Sequence, residues 1–129
     1  MNPLFAEFIG TLLLVLLGNG VVANVVLART KGETGGFVVI ALGWAMAVFV
    51  AVFTTASSSG AHLNPIVTLA LAITGKFPWA HVFGYMVAQM AGGMAGAVLV
   101  WLIYRKHFEA TPDTQKKLAA FCTGPAIRG

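Results

Sequence analysis

Near the middle of the chain, Ser58-Ser59-Gly60-Ala61-His62-Leu63-Asn64-Pro65-Ile66-Val67-Thr68 is polar up to Asn-Pro and then apolar for only about ten residues. On either side lie apolar segments long enough to cross a bilayer. Ten helical residues cover roughly 15 Å, about half of a hydrocarbon core. A segment that enters a membrane and stops halfway has few folding options, because irregular backbone at that depth persists only where protein buries it or a water-filled cavity receives it. The stretch is read as a re-entrant half-helix lining a pore.

The rest of the chain agrees with a membrane setting. Only 9% of the 129 residues are charged and 58% are hydrophobic, whereas soluble domains carry about 25% charged residues. The net charge of +4 does not point to nucleic acid, because no dense Lys/Arg cluster with interleaved aromatics is present. The basic residues instead flank apolar spans. A lone cysteine, Cys122, makes neither an internal disulfide nor a metal site. A cleaved signal peptide is not expected: Glu7 stands where a basic region belongs, and the apolar run is too long.

Three full spans are expected, over about 4–28, 37–56 and 79–104, with the half-helix over about 65–75. Pro3 suits a first helical turn, with Asn2 as its cap. Glu7, inside the first span, has two readings. It snorkels to the interface, or it faces inward and accepts hydrogen bonds from irregular backbone. Trp44 likewise either faces lipid or narrows a pore. In the third span Gly92 and Gly96 form a GxxxG pattern for close helix packing, and Gln89 serves an interhelical hydrogen bond or supports the re-entrant loop. Residues 1–104 thus form one unit. Residues 105–129 differ in composition and read as a surface loop or connector, with one amphipathic turn near Leu118-Ala119-Ala120-Phe121.

At the centre, Thr54 to Gly60 is expected to unwind the second span. Asn64 is a favoured N-cap and Pro65 fits the first turn of the half-helix, which Gly75 stops. Gly60, Ala61, His62 and Leu63 would present carbonyl oxygens in a row, Asn64 would offer its amide as a donor, and the helix N-terminus adds about half a positive charge. Acceptors, a donor and a positive barrier suit small neutral hydroxylated solutes and disfavour cations, the general logic of pore selectivity. Other chemistries lack their parts. His62 has no ligand partner at metal spacing, Ser57 to Ser59 have no positioned base, and no phosphate-binding glycine loop is present. No catalytic residue, metal or cofactor is expected.

The residues Ser59-Gly60-Ala61-His62-Leu63-Asn64-Pro65-Ile66-Val67-Thr68 resemble the first signature loop of the major intrinsic proteins, the aquaporins and glycerol facilitators. Ala6-Glu7-Phe8-Ile9-Gly10-Thr11 resembles the family's first-helix motif, Gly18-Asn19-Gly20 extends it in the manner of glycerol facilitators, and Gln89 matches a third-helix glutamine. The resemblance implies an all-α membrane fold of three transmembrane helices and one re-entrant half-helix, the first of two inverted repeats. It implies Asn64 as the pore-centre donor and the carbonyls of Gly60, Ala61, His62 and Leu63 as the cytoplasmic lining. Glu7 would hold the loop, with Gln89 and Pro65 in support. Trp44, twenty residues before Asn64, falls at the second-helix position of the aromatic selectivity filter. A Trp there resembles glycerol facilitators, whereas water-selective members typically carry Phe.

Two departures stand out. Ile66 replaces the alanine of the usual Asn-Pro-Ala motif. The second Asn-Pro motif and its filter arginine are absent, and Thr123 to Gly129 looks like the connector that precedes a second repeat. The expectation is therefore a piece of a longer product, or a half-protein that needs a complementary half. The expected function is passive flux of glycerol and water, with a water-selective pore and a non-conducting membrane interaction module as alternatives. The resemblance implies a cell-membrane location, a homotetramer of complete monomers, and a cytoplasmic N-terminus, although Arg29 and Lys31 against Lys76 argue the opposite orientation by the positive-inside rule.

Overall fold

The Asn-Pro pairs at the two ends of the first half of the chain each start a helix. Asn2 Oδ1 accepts from the Leu4 and Phe5 amides at 2.9 and 3.4 Å, and Pro3 opens α1, Pro3–Val26. Asn64 Oδ1 accepts from the Ile66 amide at 2.8 Å, and Pro65 opens α3, Pro65–Ile73. Between them lies α2, Phe37–Ser59, and after them α4, Trp79–Ala110, and α5, Thr114–Ala119. This is a computed structural model describing residues 1–125 and 127. The expected connector after Thr123 lies partly outside the described residues.

Helices α1, α2 and α4 are long and apolar enough to cross a membrane. Helix α3 is not: its nine residues rise about 14 Å. It ends in a left-handed Gly75 (φ 73°), with the Lys76 amide donating back to the Leu71 carbonyl at 2.8 Å, a closure that satisfies carbonyls at a helix end.

The structure differs from the sequence expectation at two helix ends and in the tail. Helix α2 does not unwind at Thr54 but continues to Ser59, where Gly60 caps it with φ 85°. The hydroxyls of Thr54 and Thr55 donate to the carbonyls of Val50 and Ala51 at 2.6 and 2.8 Å, so their polarity is met within the helix. Helix α4 runs past Tyr104 to Ala110. The tail folds back instead of lying loose on the surface. Asp113 caps α5, Ala120 is buried with Ala23, Leu27, Val100 and Phe108, and the Phe108 and Phe121 rings stack at 5.5 Å.

Helix α1 sits between α2 and α4. Against α4 it makes the closest approach through glycine: a Cβ on Gly96 would lie 2.7 Å from the Leu12 carbonyl oxygen, and one on Gly92 would collide with the Phe8 carbonyl. Such backbone-to-backbone approach is what small residues allow in membrane helices. The outward faces carry Phe37, Leu42, Phe49, Phe53, Phe83 and Ile103, all exposed. Hydrocarbon is as suitable a neighbour for them as protein.

Candidate functional site

Glu7 is a buried acid at the centre of the polar residues that α1, α2, α3 and α4 turn toward one another. It is fully inaccessible to solvent, which excludes the snorkelling alternative. Its Oε1 accepts from the Ser59 hydroxyl at 2.6 Å and the His62 amide at 3.0 Å. Its Oε2 accepts from the Leu63 amide at 2.7 Å and Gln89 Nε2 at 2.7 Å. A buried charge is tolerated only with such compensation, and hydrogen bonds to a charged acceptor are the stronger kind.

These bonds fix the shape of the segment between α2 and α3. Gly60, Ala61 and Leu63 have φ of 85°, 50° and 54°. Left-handed backbone is uncommon for residues with a side chain and persists where the surroundings over-determine it. Here the Ala61 amide donates to Ser59 Oγ at 3.1 Å, and the next two amides are held by Glu7. With the N–H groups turned to the carboxylate, the carbonyl oxygens are left on their own. Among the described residues no group donates to the carbonyls of Gly60, Ala61, His62 or Leu63.

At the tip of α3, Asn64 is exposed. Its Oδ1 is occupied by the Ile66 amide, so Nδ2, with its two donors, is the polar end left to face outward. Pro65 is half-buried, and Ile66 beside it is 68% exposed. His62 is half-buried; its Nδ1 shares a hydrogen bond with Thr68 Oγ1 at 3.0 Å, and its ring lies 4.7 Å from that of Phe77 and 5.0 Å from that of Tyr85. Trp44 is half-buried on α2 with its indole against Gly18 of α1. Glu7, Gln89 and the 60–65 segment thus come together in one network, while Trp44 stands apart from it.

Three residues of that network were not singled out from the sequence. Thr68 accepts from Gln89 Nε2 at 2.9 Å and reaches His62. Ser59 links Glu7 to the loop. Tyr85 donates from its hydroxyl to the Ser59 carbonyl at 3.0 Å. A signal for two of them was present. Thr68 lies four residues after Asn64 and Tyr85 four before Gln89, which is same-face spacing on a helix. Among the described residues no group of His, Cys, Asp and Glu could hold a metal ion.

Three helices of spanning length and a half-membrane helix whose entry loop is held by a buried acid define a multi-pass integral membrane protein of the re-entrant type. The family model described as "Major intrinsic protein" matches residues 1–126. The glycerol uptake facilitator protein of Streptococcus pneumoniae (strain ATCC BAA-255 / R6) is 55% identical over 128 residues, 99% of this chain and 55% of the relative. The probable glycerol uptake facilitator protein of Thermotoga maritima is 52% identical, again over 99% of this chain and 55% of the relative. The X-ray structure of the aquaglyceroporin from Plasmodium falciparum superposes with a TM-score of 0.77 at 34% identity, covering 84% of this chain and 43% of that one. The chain belongs to the major intrinsic protein family. It spans about half the length of the curated relatives it matches.

Proposed function

We propose that this chain forms one half of a passive channel for small neutral polyols and water, of the glycerol-facilitator kind. No bond is made or broken in the solute; flux follows the gradient. The observation that carries the reading is the division of labour between the two faces of the 60–64 segment. The N–H groups of Ala61, His62 and Leu63 are taken by Ser59 and Glu7 and that of Gly60 by the Ala56 carbonyl, which leaves four successive carbonyl acceptors and the Asn64 amide donor for something outside the chain. A hydroxylated solute both donates and accepts, so it exchanges its water partners for this surface with little net loss. A cation meets the positive end of α3 at the same point.

Trp44 is the aromatic wall that favours linear polyols over water alone. Two relatives named for glycerol uptake support this choice of solute. A single half-helix lines one side of a path, so the channel is completed by a complementary second repeat that brings its own tip to Asn64. Homotetramers of complete monomers are the expected assembly.

The test is flux. Proteoliposomes holding this repeat joined to a complementary second repeat should shrink and re-swell in a glycerol gradient. Those holding the chain alone should give no solute flux. Water flux without glycerol flux from the joined protein would favour the water-selective alternative, and specific glycerol flux from the chain alone would overturn the half-pore reading.

A further inference from the structure

Where α1 crosses α2, two knobs and two holes exchange. A Cβ on Gly18 would lie 2.5 Å from both Cε3 and Cη2 of Trp44, far inside the ordinary carbon–carbon contact of about 3.5–4 Å. A Cβ on Gly43 would lie 2.6 and 2.7 Å from the two methyls of Val21. The benzo edge of the Trp44 indole therefore fills the space left by Gly18, and Val21 fills the space left by the residue next to Trp44.

Gly18 differs from the glycines between α1 and α4. At Gly92 the nearest obstacles are the carbonyl oxygen and carbon of Phe8, and at Gly96 the nearest is the carbonyl oxygen of Leu12. A methyl at those positions forces helices apart. At Gly18 the three nearest atoms all belong to the six-membered ring of one long side chain. A methyl there meets a group that yields by turning about its own side-chain torsions, away from α1.

We propose that Gly18 is a positioning residue for selectivity: having no side chain, it lets the Trp44 indole withdraw onto α1, and this sets the width the solute finds. The inference rests on the reading of Trp44 as a wall of the path. A larger residue at 18 pushes the ring off α1 and narrows the path for the wider solute first.

The experiment compares Gly18→Ala, Trp44→Phe and the double variant in the channel-competent protein, with Gly20→Ala as a control. Gly20 lies on the same helix, and a Cβ there meets nothing within 4 Å among the described residues. Glycerol and water permeabilities are measured by stopped-flow light scattering. Gly18→Ala should lower the glycerol-to-water ratio by about tenfold, the discrimination typical of one misplaced methylene, while Gly20→Ala leaves it unchanged. In the Trp44→Phe background, where no benzo edge reaches Gly18, Gly18→Ala should have no further effect.

A ratio unmoved by Gly18→Ala but moved by Trp44→Phe overturns the role of Gly18 and leaves that of Trp44 standing. A ratio unmoved by Trp44→Phe removes Trp44 from the path and the inference with it. Loss of both fluxes that Trp44→Phe fails to rescue marks Gly18 as a packing residue only. A second readout comes from the chain with Trp44 as its sole tryptophan (Trp79→Phe, Trp101→Phe). There Gly18→Ala should change indole emission and quenching by acrylamide, and unchanged spectra contradict the proposal.

Discussion

Glu7 shows how one side chain sets a backbone. Its two oxygens accept four hydrogen bonds, one pair each, and every donor has no freedom to accept in return except the Ser59 hydroxyl. Glu7→Gln keeps size and shape but replaces one oxygen with an NH2 group. Whichever way the amide turns, its donors oppose a backbone N–H, either that of His62 or that of Leu63. The left-handed residues Ala61 and Leu63 then lose the contacts that hold them. With charge-assisted bonds worth about 1.5–3 kcal/mol and a buried unmet donor costing a similar amount, the expected destabilisation is about 3 kcal/mol. Denaturant titration in detergent micelles measures it, and a variant as stable as the parent would show that the loop holds its shape without the acid. Gln89 is constrained by the same logic. Its Nε2 faces Glu7 and Thr68, so a flipped amide would set oxygen against carboxylate, and its Oε1 is left buried without a partner among the described residues.

The α1–α4 pair separates two glycines that look alike in sequence. Gly92 and Gly93 are adjacent, yet a Cβ on Gly92 collides with the backbone of Phe8, while one on Gly93 meets side-chain methyls of Thr11 and Val15 at 3.8 Å, an ordinary contact. Gly92→Ala should therefore cost about 1–3 kcal/mol through overpacking. Gly93→Ala should be neutral or slightly stabilising, since alanine is the better helix former. Thermal unfolding of the two variants side by side checks this, and equal melting temperatures would mean that the helices slide apart freely. The GxxxG spacing was legible in the sequence because it depends only on a repeat along one helix. The start of α3 was legible for a related reason: an Asn cap and a first-turn Pro act within four residues. The ends of α2 and α4 were not. Hydroxyls from Thr54 to Ser59 look like an exit from the helix until those of Thr54 and Thr55 are seen bonding to the preceding turn and that of Ser59 to Glu7. At the end of α4, charges mark the exit from the membrane and not the end of the helix: Arg105 pairs with Glu109 at 3.3 Å one turn on. Thr68 and Tyr85 escaped notice because their partners lie elsewhere in the fold: same-face spacing from Asn64 and Gln89 marks the face they share but not the distant group each one meets.

At the scale of the whole molecule, the tip of α3 is the least finished part. Asn64 points a donor outward, the helix presents its positive end, and Ile66 beside them is 68% exposed. Within this repeat Ile66 contributes its backbone N–H to Asn64, while most of its side chain covers nothing. Ile66→Ala should therefore leave the stability of the chain by itself within about 0.5 kcal/mol, as for other exposed substitutions. Joined to a second repeat, the same side chain lies where the two half-helix tips meet in the proposed channel. Burying it there and then truncating it costs about 2–5 kcal/mol, the range for Ile→Ala in a packed core. The two repeats, supplied as separate chains, should then associate at least about tenfold more weakly, since 1.4 kcal/mol is tenfold in affinity. Association measured by energy transfer between labelled repeats, beside the unfolding of the single repeat, reads both quantities. A loss of stability in the isolated repeat would mean that Ile66 packs within its own half. Unchanged association would mean that the tips meet without it, and the bulk at this position would then bear on the passing solute alone.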